Sequence, residues 1–203
     1  MTKNINAMVL GTTAKTLGYL RGKLIRTLSN KNINMFLVSS KPEPGDLDYF
    51  KNFNNIKYKT IYLKRNSLNF LNDIKTIIDI SSLIKRIRPK FILAYGIKLI
   101  IWGGLLAKIS NVQFYALVTG TGYSFQGKSF KRKLLTKIII FLYKSALRNS
   151  KAVIFQNNDN RNLFVDNGII PRSNTHIVNG SGVDLEKFYF TNIPEGNIQF
   201  LCI

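Results

Sequence analysis

The sequence predicts an α/β fold built on a parallel sheet, and three observations carry that expectation. Short apolar runs alternate with longer amphipathic stretches along the chain, the pattern of buried strands joined by helical crossovers. Apolar residues make up 45% of the 203, enough to cover both faces of a sheet and too many for a disordered chain. Glycine and proline sit where the periodic segments stop, as at Gly11, Pro89 and Gly168, which is where a chain changes direction.

Residues 8–10 read as a short strand, followed by a helix over 17–29 with Leu17, Leu20, Leu24, Ile25 and Leu28 on one face. Residues 35–38 form a second strand. The Lys-Pro-Glu-Pro-Gly-Asp run at 41–46 is loop by composition, and 56–63 is a third strand. A helix over 69–88 is stopped by Pro89, because proline disfavours helix in the residue before it. Residues 91–95 are a buried strand, 99–109 an apolar helix and 113–118 another strand. The longest helix covers 128–149, with a strand at 152–155. Asn158 or Asp159 can cap a short helix that Gly168 closes, and 175–178 is the last strand. No repeat is visible. The layout is Rossmann-like, with helices on both faces of the sheet.

Residues 1–190 form one domain in this reading. Thr191 to Gly196 read as a linker, and 198–203 as the first strand of a second domain, because a buried strand without a covering layer is incomplete. The sequence is therefore expected to break off as that second domain starts.

Thirty Lys and Arg against ten Asp and Glu give a net charge of +20 and a pI near 10.2. An anionic partner is the expectation: nucleic acid, acidic lipid or a diphosphate-bearing substrate. Cys202 is the only cysteine and His176 the only histidine, so no Cys/His metal site or disulfide framework is expected within one chain. A Ser-His-Asp or Cys-His engine would need His176, which reads as a structural residue inside an apolar strand. No paired-carboxylate hydrolase site is visible. Residues 1–6 lead straight into a strand without a signal-peptide pattern. The longest uncharged stretch, 109–127, is interrupted by Asn111, Gln113, Gly120, Gly122 and Gln126, so no bilayer span is expected.

Three segments can carry chemistry. In Gly11-Thr12-Thr13-Ala14-Lys15 a glycine lets the backbone approach a ligand, and free N–H groups at the helix start attract an anion. Thr12 and Lys15 add donors. The spacing fits neither GxGxxG nor a P-loop, and a tight turn that needs a glycine accounts for it equally. In Val118-Thr119-Gly120-Thr121-Gly122 small residues at the carboxyl end of a strand suit a diphosphate or sugar; glycines that merely turn the chain are the alternative. The third is the long helix, with Lys128, Lys131, Arg132, Lys133, Lys137, Lys144 and Arg148, no acid, and an apolar stripe of Phe130, Leu134, Ile138, Phe141, Leu142 and Leu147. Such a helix can lie on anionic lipid or pack on the core with a solvated basic face. The +20 charge and the cluster Lys85-Arg86-Ile87-Arg88-Pro89-Lys90 favour the membrane.

Val153 to Asp159, then Phe164 and Gly168, then Val178-Asn179-Gly180-Ser181-Gly182-Val183-Asp184-Leu185-Glu186-Lys187-Phe188 resemble the end of the N-terminal domain of family 4 glycosyltransferases of the GT-B fold. The segment 118–125 is similar to a Thr-Gly-Leu-Gly stretch of members that build capsule, O-antigen (lipopolysaccharide) and N-glycan precursors on a lipid carrier. The resemblance implies two Rossmann-like domains across a cleft, the N-terminal one holding the acceptor and the C-terminal one the nucleotide-sugar. It further implies a retaining, metal-free hexosyl transfer to a polyprenyl-diphosphate-linked glycan, by a protein peripheral on the inner face of the plasma membrane. By position, Gly11, Thr12 and Lys15 would lie by a diphosphate, Thr119, Gly120, Thr121 and Gly122 by the reacting sugars, and Asn157, Gly182 and Asp184 by the cleft and hinge. Lys128, Lys131, Arg132, Lys133 and Lys137 would contact the membrane. Relatives often carry His or Glu near position 119, where this chain has Thr119, so no catalytic residue is assigned. The Glu-x7-Glu donor segment of the family belongs to the C-terminal domain, so no cofactor is expected here and the chain by itself is expected to be inactive.

Two other classes compete. A nucleic-acid-binding protein rests on charge alone, without an aromatic, zinc or helix-turn-helix motif, and would bind with a steep salt dependence. A donor-less, non-catalytic partner of another transferase subunit differs from the first reading only in the chain beyond Ile203.

Overall fold

The computed structural model describes residues 5–64, 70–120, 130–186, 188–192 and 196, with the side chains of 70, 71, 130, 131 and 132 outside that description. The expected linker, apart from Thr191, Asn192 and Gly196, and the expected strand at 198–203 lie outside the described residues.

Among the described residues seven parallel strands form one sheet: β1 (Ile5–Leu10), β2 (Ile33–Ser39), β3 (Ile56–Thr60), β4 (Phe91–Tyr95), β5 (Gln113–Val118), β6 (Ala152–Phe155) and β7 (Thr175–Ile177). Their order is β3-β2-β1-β4-β5-β6-β7. Among the described residues five α-helices connect them: α1 (Ala14–Ser29), α2 (Phe70–Ile87), α3 (Ile97–Ile109), α4 (Phe130–Leu147) and α5 (Asn158–Asp166). A 3-10 turn at Asp48–Phe50 lies between β2 and β3. The expected α/β fold with a parallel sheet is the observed one.

Alternation along the strands divides the core in two. Met8, Leu10, Ile92, Ala94, Phe114, Ala116, Val153 and Phe155 point to one face, where α2, α3, α4 and α5 cover them. Ala7, Val9, Leu93, Tyr95 and Leu117 point to the other, with Leu17 and Ile25 of α1 and Phe50 of the 3-10 turn. Both faces carry helix, but the layers are unequal in number.

The helix ends follow from local chemistry. Thr13 caps α1: its Oγ1 accepts from Thr16 N at 3.2 Å, and Thr16 Oγ1 accepts from Thr13 N at 3.3 Å. This reciprocal box satisfies two otherwise orphaned donors. Arg88 takes a left-handed φ of 50° just before Pro89, which ends α2 as expected. The cap of α5 is Asn157, one residue before the expected Asn158 or Asp159; its side chain accepts from Asn160 N at 2.8 Å.

Two helix faces differ from the sequence reading. In α1, Leu20 and Leu24 are exposed, whereas Leu17, Gly18, Arg21, Gly22 and Ile25 are buried. The reason is close approach: a Cβ on Gly22 would lie 2.3 Å from the Tyr49 ring, so the small residues turn inward. In α4 the apolar stripe splits. Leu147 is buried beside Ile139, Tyr143 and Ala146, while Leu134, Ile138 and Phe141 are exposed, Phe141 by 68%. No helix among the described residues is long and apolar enough to cross a membrane.

Candidate functional site

Strand order reverses direction at β1 and β4: chain connections run outward to β2 and β3 on one side and to β5, β6 and β7 on the other. In open parallel sheets, ligands bind outside the carboxyl ends of the strands at such a switch point. Here the loops after β1 and β4 meet. Gly96 has φ of 86°, a left-handed conformation suited to glycine, and a Cβ there would lie 2.4 Å from Thr12 Cγ2. A side chain at 96 would push the two loops apart.

Gly11 is buried in the same junction. Its N–H donates to Val38 O at 2.9 Å, and a Cβ would sit 2.5 Å from Tyr95 Oη. Its N–H is therefore already used inside the sheet, and the glycine serves close packing. Thr12, half-buried, places its Oγ1 3.4 Å from Thr16 Oγ1, which is also 3.1 Å from Tyr95 Oη. The N–H groups of Ala14 and Lys15 have no partner among the described residues, so the first turn of α1 keeps the open donors on which anion binding rests. Lys15 is exposed beside them.

Thr119 and Gly120, after β5, are exposed, and nothing lies within 4 Å of a Cβ placed on Gly120. Packing among the described residues does not explain that glycine. Thr121, Gly122 and Lys128 lie outside the described residues, and of Lys131 and Arg132 only the backbone in α4 is described. Lys133 and Lys137 are exposed on α4, far along the chain from the β1 turn.

After β7 the chain turns back at Gly180 and Gly182, with φ of 75° and 73°, and lies against α1 as a strap. Arg21 Nη1 donates to Ser181 Oγ at 2.7 Å, Gln156 Nε2 donates to the same oxygen at 3.1 Å, and Lys23 Nζ pairs with Asp184 Oδ1 at 3.0 Å. Gly182 and Asp184 thus belong to the strap, and Asn157 follows the Gln156 that holds it. The sequence reading gave no role to Arg21 or Tyr95. The available signal was a lone arginine at the spacing of Ala14, Leu17, Gly18, Gly22 and Ile25. His176 lies in β7 as expected and is exposed: β7 is the outermost strand, so one of its faces meets solvent. Among the described residues no group of three or more His, Cys, Asp or Glu can hold a metal.

Burial dominates the titration of this crevice. The Tyr95 hydroxyl is pushed up to about 12 by desolvation, against the smaller opposing effects of the Thr16 hydrogen bond and the Arg21 charge. Burial also pushes Tyr143 up and Arg21 down. A raised tyrosine pKa favours the fold as long as the unfolded chain also keeps the proton, near pH 10 and below. Stability is expected to fall as pH rises from about 10 toward 12, where the unfolded chain ionises first. In a spectrophotometric titration of the nine tyrosines, Tyr95→Phe is expected to remove a late-ionising ring, and loss of an ordinary one would contradict the burial effect.

The sequence model of the glycosyl transferase 4-like family matches residues 12–157, from Thr12 of the β1 turn through the loop after β4 to Asn157. The chain belongs to the glycosyl transferase 4-like family. A search of curated proteins found no match. Among solved structures, this family member is similar to MurG of Acinetobacter baumannii, at 12% identity and TM-score 0.57 over 90% of this chain and 47% of that one. It is similar to a UDP-N-acetylglucosamine 2-epimerase of Rickettsia bellii at 14% identity and TM-score 0.60, over 88% and 46%. It is also similar to a sucrose-phosphate synthase of Thermosynechococcus elongatus at 13% identity and TM-score 0.64, over 85% and 47%. At these identities the likeness is one of fold. The chain spans about half the length of each, as expected of the N-terminal half of a GT-B fold.

Proposed function

We propose that this family member is the acceptor-binding half of a glycosyltransferase that moves a sugar from a nucleotide-sugar to a polyprenyl-diphosphate-linked glycan, in the synthesis of a capsule, O-antigen or similar polysaccharide. The observation that carries the reading is the family match over 12–157. In this reading the acceptor diphosphate meets the first turn of α1, where Ala14 and Lys15 keep open N–H donors, and the acceptor sugar lies by Thr119 and Gly120. The donor binds a second domain across the cleft, and the transfer retains configuration at the anomeric carbon.

The lipid carrier places the work at a membrane, and α4 supplies the contact. Leu134, Ile138 and Phe141 are exposed on a helix that also carries exposed Lys133 and Lys137 and no acidic residue. Apolar side chains can enter the headgroup boundary while the lysines meet anionic lipid, each cation near the surface contributing about 1 kcal/mol. The protein is then peripheral on the inner face of the plasma membrane.

The full-length protein, given a nucleotide-sugar and a polyprenyl-diphosphate-linked acceptor, is expected to elongate the acceptor. It is also expected to sediment with phosphatidylglycerol vesicles, and neutralising Lys131, Arg132 and Lys133 together is expected to weaken that binding by at least about tenfold. No elongation with any nucleotide-sugar would overturn the transferase reading. Unchanged sedimentation of the triple variant would remove α4 from the membrane contact.

A further inference from the structure

We propose that Arg21 anchors a phosphoryl-binding site that the strap after β7 closes, with the Ser181 hydroxyl occupying the place of a phosphoryl oxygen. Arg21 is 5% exposed, on the inward face of α1. It forms none of the ion pairs found among the described residues; the nearby Asp184 pairs with Lys23 instead. A guanidinium taken out of water without a counter-charge costs several kcal/mol unless its donors are well satisfied. They are not: Nη1 donates to Leu20 O at 3.1 Å and to Ser181 Oγ at 2.7 Å, while Nε is buried with no acceptor among the described residues. The Arg21 Cζ lies over the Tyr95 ring, 5.3 Å from its centroid, so one side of the group is covered by an aromatic face rather than by water.

The geometry points to an anion. Two donors from separate elements, Arg21 Nη1 of α1 and Gln156 Nε2 beyond β6, converge on the single Ser181 oxygen. A neutral hydroxyl is a weak acceptor for a cation, and an ionised oxygen makes the stronger, shorter bond. Because the donors come from two different elements, a phosphoryl group, with several oxygens to share between them, suits the site. Ser181 can give way, since it is exposed and its strap turns on Gly180 and Gly182, where glycine tolerates the left-handed φ. Binding would therefore exchange the Arg21–Ser181 contact for an Arg21–phosphoryl contact and free the strap. Two turns of helix separate this site from the open N–H groups at Ala14 and Lys15, and it stands whether or not the protein transfers a sugar.

Calorimetric titration of the intact protein with inorganic pyrophosphate tests the site, with farnesyl diphosphate as a second arm to separate a free from a lipid-borne phosphoryl group. Arg21→Met, which fills the same space without the charge, is expected to weaken pyrophosphate binding at least about tenfold, equivalent to about 1.4 kcal/mol. Lys59→Gln, which removes one exposed charge elsewhere on this +20 chain, is expected to change it less than about twofold. Ser181→Ala, which removes the competing oxygen, is expected to bind more tightly. If farnesyl diphosphate alone binds with the same dependence on Arg21, the phosphoryl group is lipid-borne. The proposal is overturned if the parent binds neither ligand, if Arg21→Met loses no more than Lys59→Gln, or if Ser181→Ala weakens binding as much as Arg21→Met. Should Arg21→Met fail to fold, Arg21→Lys keeps the charge, loses the planar fork, and is held to the same tenfold criterion.

Discussion

Asp73→Ala is expected to lower the unfolding free energy by about 3–5 kcal/mol, because it strands a charge in the interior. Lys98 Nζ lies 2.6 Å from Asp73 Oδ1, with side-chain exposures of 18% and 9%. The pair joins α2 to the start of α3, two residues beyond Gly96 at the crevice. Removing the carboxylate leaves the Lys98 ammonium desolvated with no counter-charge. Replacing both, as Asp73→Ala with Lys98→Met, removes the stranded charge and is expected to return most of the loss. Urea unfolding of the parent, both single variants and the double variant measures the coupling. Additive losses would show that the two groups act independently, contrary to the contact.

Phe164→Ala is expected to cost a similar amount, about 3–5 kcal/mol, through a cavity rather than a charge. Phe164 is fully buried in α5, with its ring edge-to-face against Tyr143 at 5.0 Å and Phe155 at 5.3 Å. Those rings join α4, α5 and β6, so the cavity loosens the support of Asn157 and Gln156 at the rim. Tyr143→Phe in the same cluster gives the contrast. The Tyr143 hydroxyl is buried without a hydrogen-bond partner among the described residues, and its removal is expected to be neutral or stabilising, since an unsatisfied polar atom leaves the core. Thermal unfolding of the two variants side by side should show a large drop for the first alone; a comparable drop in both would mean that the hydroxyl has a partner.

Sequence was most informative where burial is complete on both sides. The bounds expected for β4, β5 and β6 are the observed ones, because their continuous apolar runs leave no choice of face. It was less so at strand ends: β1 begins at Ile5 rather than Met8, and β3 ends at Thr60 rather than Leu63. Asn6 and Asn34 are strand residues whose polar side chains hydrogen-bond to each other across the ladder, a pairing invisible along the chain. The faces of α1 and α4 were only partly legible. Periodicity identifies a stripe, but which side meets the core depends on what packs there, as Tyr49 against Gly22 demonstrates.

The candidate site divides in the same way. That Gly11, Thr12 and Lys15 stand at the turn between β1 and α1 was legible from the change of period there, and the structure adds that the Gly11 N–H is committed to Val38 O. The network of Arg21, Gln156 and Ser181 was not legible, since its members stand up to 160 residues apart.

By itself the sequence determined the parallel α/β architecture, the strong positive charge and the glycine turns at the strand ends. These arise from composition, periodicity and local backbone preferences, which act over a few residues. Only the tertiary structure decided which helix faces are buried, that His176 is exposed, and that a buried arginine meets the strap after β7. Those outcomes depend on packing and desolvation between segments distant along the chain, and no local pattern contains them.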